Sequence, residues 1–451
     1  MKKGYPTNMS AEEESVLQPL LKTGKGFYVF VGVLLVLTGW FLYCWYTQLS
    51  QGLIVTGMRS IYNAPNYMAY GVAGGSPWGV YVTTFIFWIG ISHAGIAISA
   101  SVRLMNLNKY KVVARIAEVL TLVALPMAGL SIVFDVGRPD RLFNLLEFGR
   151  FQAPLLWDLS AVTTYFMATI IYLYLSLRGD IDRLALRIPR REKFYKRLAM
   201  HYEGTETEKE RHKQTLWWLA IAIVPIMVTV HSVVSFVFGL MIARAGWYST
   251  IFAIYFVVGA IVSGVAAVFS LAWIFRWFYK WQSLITDEVL KGISWALRNV
   301  LIIYIYLWIA EELTTNYMGP SAELRVSDFL WSGPYAPIFW PLAIIGFGVP
   351  AIILLKPVFA RKAFNPKLTF IASIILNVAL WIKRFIIVVP SLLNPPLYQT
   401  GIYIPTVTEV SIILGTFWMA ALLYVVFMKI FPIIELDATD PANLNRGLEE
   451  A

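Results

Sequence analysis

The chain has 451 residues, of which 58% are hydrophobic and 14% are charged, and its formal net charge is +10. Soluble domains carry about 25% charged residues, so this composition excludes a soluble enzyme and predicts a polytopic membrane protein. The basic residues lie in short segments between apolar runs, which argues against a nucleic-acid partner. The single cysteine, Cys44, excludes an internal disulfide and an iron–sulfur cluster held by this chain alone.

Ten apolar runs reach the length of about 20 residues that a membrane helix needs. No strand alternation is long enough for a barrel, so the predicted fold class is all-α. The predicted membrane domain, 26–432, lies between an amino-terminal segment, 1–25, that is not a cleaved signal, and a tail, 433–451. The predicted helices are 26–49, 78–105, 112–134, 157–177, 214–243, 249–275, 291–318, 336–356, 367–390 and 407–432.

The distribution of Lys and Arg predicts the orientation. The fourth connection, about 178–213, is strongly basic, and alternate connections carry few basic residues. Both termini are therefore expected in the cytoplasm, with the protein in the cell membrane. Arg138, Arg141 and Arg150 break the rule because they fall in an outer connection, so we predict that Arg138 and Arg141 contact a partner protein.

Two histidines lie at bilayer depth. His93 is near the middle of the second span among small residues, and His231 lies at a similar depth in the fifth. An ionisable side chain there is costly unless it faces a polar partner or a cavity. Each histidine is either a structural residue bonded to backbone or a functional base. An imidazole accepts a proton near neutral pH, as quinol oxidation requires.

Several acidic side chains are candidates to accompany the histidines. Asp135 ends the third span and Asp158 begins the fourth, so both are expected on the outer side, either as helix caps or as proton acceptors. Glu118 is expected to snorkel at the cytoplasmic end of the third span and is a candidate for proton transfer.

The second half of the chain has charges of its own. Glu311 and Glu312 of the seventh span lie at a depth similar to that of Lys383 and Arg384 of the ninth. An ion pair across these helices is expected, because neither charge is tolerated alone in lipid. It serves either as a structural lock or, through Glu311, Lys383 and Arg384, as a proton path.

Six segments in order carry a resemblance to a known family. They are GISHAGIAISA, VGRPDR, PLLWDLSAVTTYF, HSVVSFVFGL, EELTTNYMG and WIKRFIIVVPSL. The chain resembles the NrfD-like integral membrane subunits of polysulfide-reductase-type complexes. It is most similar to the ten-helix branch of heterodisulfide-reductase-like (Hdr-like) menaquinol-oxidising complexes, and next to alternative complex III. Members of the latter carry an aspartate where this chain has Val237.

The resemblance implies two four-helix bundles, helices 2–5 and 6–9, flanked by helices 1 and 10. It implies a menaquinol site in the first bundle toward the outer surface, with His93 and Asp158 catalytic and Asp135 and His231 also binding quinone. The intramembrane glutamate of the family matches Glu311. No metal, haem or iron–sulfur cluster is expected in this chain. The implied partners are a periplasmic-side ferredoxin-like iron–sulfur subunit and cytochrome b-like, cytochrome c and Hdr-like iron–sulfur subunits.

The predicted function is therefore a menaquinol-oxidising membrane subunit that passes electrons to an outer iron–sulfur subunit. Three alternatives stay open: quinone reduction in the opposite direction, a b-type cytochrome ligated by His93 and His231, and a proton or solute transporter that uses the region of Glu311 and Lys383.

Overall fold

A computed structural model describes residues 9–58, 76–200, 202, 204–249, 251–359, 363–394 and 402–439. Both ends of the chain, 1–8 of the predicted amino-terminal segment and 440–451 of the predicted tail, lie outside these residues. The described part is helical and contains no strand, which confirms the all-α fold class.

Ten helices in the described ranges are long and apolar enough to cross a membrane. They are α1 Lys25–Gln51, α2 Val80–Leu104, α3 Lys111–Asp135, α4 Pro154–Arg187, α5 Glu206–Gly239, α6 Phe252–Phe278, α7 Asp287–Met318, α8 Ala336–Phe359, α9 Pro366–Leu393 and α10 Val407–Met428. Short helices outside them are Ala11–Leu21, Asn144–Glu147, Glu192–Leu198 and Ser321–Trp331. Single 3-10 turns are Leu53–Val55, Asn108–Tyr110, Pro139–Arg141, Pro189–Arg191 and Leu436–Thr439.

Two helices are longer than the predicted spans. The apolar run predicts that the fourth span ends at 177, whereas α4 continues to Arg187, and α5 begins at Glu206 instead of 214. The added turns are polar, so hydropathy does not detect them. Thr205 caps α5 by accepting a hydrogen bond from the Glu208 amide.

The ten helices pack as two rings. In the first, α2 packs on α3, α3 on α4, α4 on α5, and α5 on α2; in the second, α6 packs on α7, α7 on α8, α8 on α9, and α9 on α6. The rings meet where α2 packs against α6 and α9, and α1 packs on α10. This arrangement agrees with two four-helix bundles flanked by the first and last helices.

Small residues set the spacing inside the first bundle. A Cβ atom on Gly95 would lie 2.0 Å from Thr121 Oγ1 and 2.2 Å from the Ala117 carbonyl oxygen. Glycine therefore lets α2 and α3 approach closely. The Thr121 hydroxyl donates a hydrogen bond to the Ser92 carbonyl at 2.8 Å, which fixes the neighbouring His93 against α3.

The two described ends of the chain meet on one side of the protein, which we call the terminal face; the opposite side is the far face. The helix Ala11–Leu21 contacts the turn Leu436–Thr439. Lys429 Nζ donates to the Pro19 carbonyl at 2.5 Å, and the Trp281 indole donates to the Ser15 carbonyl at 3.3 Å. An even number of crossings brings both ends to this face.

Candidate functional site

A pair of histidines lies at the centre of the protein. The rings of His93 in α2 and His231 in α5 are 4.5 Å apart between centroids and inclined by 65°. Both side chains are fully buried. The predicted shared depth is confirmed. Rings packed this closely leave no room for a porphyrin between them, so this arrangement does not fit bis-histidine haem ligation.

The hydrogen bonds of the pair determine which ring nitrogens are available. His93 Nδ1 lies 3.2 Å from the Ile89 carbonyl oxygen, and His231 Nε2 lies 3.2 Å from the Phe256 carbonyl oxygen. A carbonyl only accepts, so in the neutral rings these nitrogens carry the protons. The buried His93 Nε2 and His231 Nδ1 have no hydrogen-bond partner among the described residues. Each therefore presents a lone pair that can take a proton.

Tyr165 of α4 forms another wall of the site. Its ring centroid lies 5.9 Å from that of His93, and its hydroxyl donates to the Ser92 carbonyl at 3.0 Å. Asp158 lies two turns nearer the far face on α4, at about 10 Å along the helix. Within the described part of the chain, its buried Oδ1 has no hydrogen-bond partner. The predicted catalytic residues, His93 and Asp158, thus do not contact each other, and Tyr165 contacts the histidine instead.

Asp135 belongs to a different part of the far face. It ends α3 next to Phe134, whose carbonyl accepts a hydrogen bond from Gln48 Nε2 at 2.7 Å and whose ring lies 6.2 Å from that of Tyr81. Tyr81 is 12 residues before His93 in α2, about 18 Å along the helix. The structure therefore does not bring Asp135 to the histidine pair.

Glu118 is fully buried, so the expectation that it snorkels is wrong. Its carboxylate accepts a hydrogen bond from Ser99 and lies 3.3 Å from Arg103 Nη2 and 3.9 Å from Arg115 Nε. The two arginines compensate its charge inside the protein, because α3 turns this side chain toward α2 rather than toward water.

Further carboxylates complete this group, which we call the terminal-face cluster. Arg115 Nη1 lies 2.5 Å from Asp180, and Arg103 Nη2 lies 2.7 Å from Glu435. Burial by itself would raise the pKa of Glu435, but the charges of Arg103 and Arg115 lower it below its ordinary value. Glu435 follows α10, so the last described segment of the chain closes the cluster. Its members are Arg103, Arg115, Glu118, Asp180 and Glu435.

A polar seam links the cluster to the histidine pair. The Tyr172 hydroxyl accepts a hydrogen bond from Arg103 Nε at 3.0 Å and lies 3.2 Å from the Ser99 hydroxyl. Asp158, Tyr165 and Tyr172 recur every seven residues, which places them along one side of α4. Sequence reasoning missed both tyrosines, although this spacing is visible in the sequence. The seam runs from the far face past His93 to the terminal face.

In the second bundle the predicted ion pair forms with a different carboxylate. Lys383 Nζ lies 3.8 Å from Glu312 Oε1, whereas Glu311 accepts a hydrogen bond from the Ser249 hydroxyl at 2.8 Å. Arg384 has no carboxylate within ion-pair distance among the described residues. It donates instead to the Leu380 carbonyl at 2.8 Å and weakly to Ser263 at 3.3 Å.

Arg138 and Arg141 are exposed at the far face. Arg138 is held by Asp140 at 2.7 Å, with 64% and 58% of the two side chains exposed. The hydrogen bond from Arg138 lowers the pKa of Asp140. The prediction that Arg138 and Arg141 contact a partner fits this exposure and stays a prediction.

The ten helices in two rings around a buried histidine pair define a multi-pass integral membrane protein. Residues 69–396, more than half of the chain, match the family model described as polysulphide reductase, NrfD, and the chain belongs to this family. The predicted resemblance is confirmed.

Three relatives match over most of their length. One, named as the third membrane component of a dimethyl sulfoxide reductase of Halobacterium salinarum, is 25% identical over 94% of this chain and 96% of its own. The corresponding component of the selenate reductase of Mesobacillus selenatarsenatis is 24% identical over 93% and 95%. The Hdr-like menaquinol oxidoreductase integral membrane subunit of Archaeoglobus fulgidus is 23% identical over 81% and 87%. By these names the relatives are components of redox complexes.

Proposed function

We propose that this chain oxidises menaquinol as the membrane subunit of an electron-transfer complex. One observation carries the proposal: His93 Nε2 and His231 Nδ1 are buried bases without partners among the described residues, in the middle of the membrane domain. A buried polar atom without a hydrogen bond costs about 1–3 kcal/mol, and such a cost is expected where a protein keeps a functional group available.

The quinol site is proposed in the first bundle, between the histidine pair and the far face. A quinol ring that enters from that face passes Asp158 and meets Tyr165 and His93. Asp158, with its buried Oδ1 unpaired in the described structure, is suited to accept a hydroxyl hydrogen bond. Asp135 belongs to the neighbouring α1–α2–α3 junction and is proposed only as a contact at the mouth of the site.

The proposed reaction removes two electrons and two protons from the quinol. His93 takes one hydroxyl proton at Nε2, His231 offers a second acceptor at 4.5 Å between ring centroids, and Asp158 releases protons to water at the far face. The electrons pass to an iron–sulfur cluster of a partner subunit, which is the oxidant. Glu118, Glu311, Lys383 and Arg384 remain proposed proton-path residues, and the seam through Tyr172 and Ser99 supports Glu118 most directly.

The terminal face is proposed to be cytoplasmic and the far face periplasmic, on the distribution of Lys and Arg. The partner on the far face is proposed to be a ferredoxin-like iron–sulfur subunit that contacts Arg138 and Arg141. Cytochrome b-like, cytochrome c and Hdr-like iron–sulfur subunits would complete the complex. The names of the dimethyl sulfoxide and selenate reductase relatives favour electron flow from quinol toward a terminal reductase.

The test is His93→Ala in the assembled complex, with reduction of the iron–sulfur partner by a menaquinol analogue as the readout. We expect the rate to fall by about 100-fold or more, the usual contribution of a general base, while the partners still copurify. The matched control is His212→Ala, because His212 lies in the terminal-face part of α5 against Tyr202. Wild-type activity in His93→Ala would remove the mechanism.

A further inference from the structure

A small cavity lies in the second bundle, apart from the histidine pair. Tyr255 and Gly259 of α6, Tyr304 of α7, and Lys383 and Arg384 of α9 are among its lining residues. Its volume is about 10 Å³, room for roughly one water-sized particle. A quinone ring does not fit this space, so its ligand is of another class.

The guanidinium of Arg384 makes the cavity electropositive. The side chain is 4% exposed, and its buried Nε has no hydrogen-bond partner in the described ranges. A Cβ atom on Gly90 of α2 would lie 2.5 Å from Arg384 Nη2, so a glycine at this position of α2 makes room for the guanidinium. A guanidinium does not deprotonate in proteins. Its charge therefore needs a counter-charge that no described carboxylate provides within ion-pair distance.

Lys383 adds a second cation that is only partly compensated. Its Nζ lies 4.5 Å from the centroid of the Trp308 ring and 3.8 Å from Glu312, which is beyond hydrogen-bonding distance. Glu312 already accepts hydrogen bonds from the indoles of Trp308 and Trp331, at 2.9 and 3.1 Å. The ammonium protons are thus available on the cavity side.

The two tyrosines supply one more donor. The hydroxyl oxygens of Tyr255 and Tyr304 are 3.0 Å apart. One of the two hydroxyl protons makes that bond, and the other is left to donate elsewhere. The polar groups around the cavity therefore include a guanidinium N–H, an ammonium and a hydroxyl, each of which donates.

We propose that this cavity binds one monovalent anion of halide size, held by Arg384 Nε, the Lys383 ammonium and a tyrosine hydroxyl. Convergent donors with excess positive charge favour an anion over a neutral ligand. The site lies where α6, α7 and α9 meet, so its anion stabilises the packing of the second bundle.

The test measures the unfolding temperature of the purified complex in lipid nanodiscs while sodium chloride replaces sodium gluconate at constant ionic strength. Gluconate is too large for the cavity. Wild-type protein is expected to gain stability in a saturable way with chloride, as binding to the folded state requires. Arg384→Gln is expected to raise the half-saturating chloride concentration about tenfold or more, the loss expected for a hydrogen bond to a charged group.

Arg298→Gln is the matched control, because Arg298 lies on α7 but stacks on Trp295 outside the cavity. It should keep the wild-type chloride response. If Arg384→Gln fails to fold, Tyr255→Phe takes its place, with a smaller rise in half-saturating chloride expected. Anomalous diffraction from bromide-soaked crystals should place one peak between Arg384 and Lys383. The proposal fails if chloride and gluconate act alike, if the variants respond like wild type, or if the cavity shows no bromide peak.

Discussion

The arginines of the terminal-face cluster and the arginine at the centre of the protein are buried in opposite ways. Arg115 is 1% exposed and lies 2.5 Å from Asp180. Arg384 is 4% exposed and has no carboxylate within ion-pair distance in the described part of the chain. The histidine pair beside the bundle interface likewise leaves two ring nitrogens unpaired within that part. Compensated charge marks a structural joint, whereas uncompensated polarity marks a place kept ready for a ligand or a proton.

The joint is built from distant parts of the sequence. Arg103 of α2 and Arg115 of α3 meet Glu435, which follows α10. The backbone amide of Leu436 lies 3.3 Å from Asp180 Oδ1. The cluster therefore ties the last described segment to the first bundle, and its loss is expected to act on stability before it acts on electron transfer.

The largest effect on stability is expected for Arg115→Met. The substitution leaves Asp180 and Glu118 without their shared cation in a buried site, which costs about 3–5 kcal/mol of unfolding free energy. Denaturant unfolding in detergent micelles measures it.

The control for that variant is Arg276→Met. Arg276 pairs with Asp287 at 2.5 Å, but Asp287 is 68% exposed, and exposed pairs contribute about 0–1 kcal/mol. Adding Asp180→Leu to Arg115→Met should restore part of the stability. Equal losses in the two single variants would break the distinction between the buried joint and the surface.

A smaller effect, and a pH-dependent one, is expected for Glu435→Gln. The pKa of Glu435 is lower in the folded protein than its ordinary value of 4.5. The carboxylate therefore stabilises the fold above that value, and the contribution is lost as pH falls through the folded pKa. Glu435→Gln should lose about 1.5–3 kcal/mol at pH 7, and its difference from wild type should shrink below pH 4.5.

Unfolding curves of both proteins from neutral pH down into the acid range measure this difference. Asp437→Asn is the matched control on the same segment, because Asp437 pairs with Arg183 while 66% exposed. A difference between wild type and Glu435→Gln that is constant over the whole pH range would contradict the role of its charge.

The smallest effect on stability is expected for His93→Leu, although its effect on activity should be large. The substitution removes an unpartnered buried nitrogen and keeps an apolar side chain of similar size, so unfolding free energy should change by about 1 kcal/mol or less. The same unfolding assay measures it. A loss as large as that of Arg115→Met would make the histidine a structural residue and would end the contrast on which the proposed function depends.

The all-helical fold, the ten spans and the common depth of His93 and His231 could all be predicted from the sequence. They follow from the length and composition of apolar runs, since bilayer thickness fixes helix length and the rise per residue fixes depth. Hydropathy could not find the polar ends of α4 and α5, which are held by caps and by the terminal-face cluster.

Which side chains meet depends instead on tertiary packing. Neighbouring residues on a helix point about 100° apart, so Lys383 faces Glu312 while Arg384 faces Gly90 and Ser263. The rotation of each helix about its axis is set by packing against several others, which no single apolar run encodes. For the same reason Tyr165, and not Asp158, contacts His93, and Glu435 reaches Arg103 from the other end of the chain.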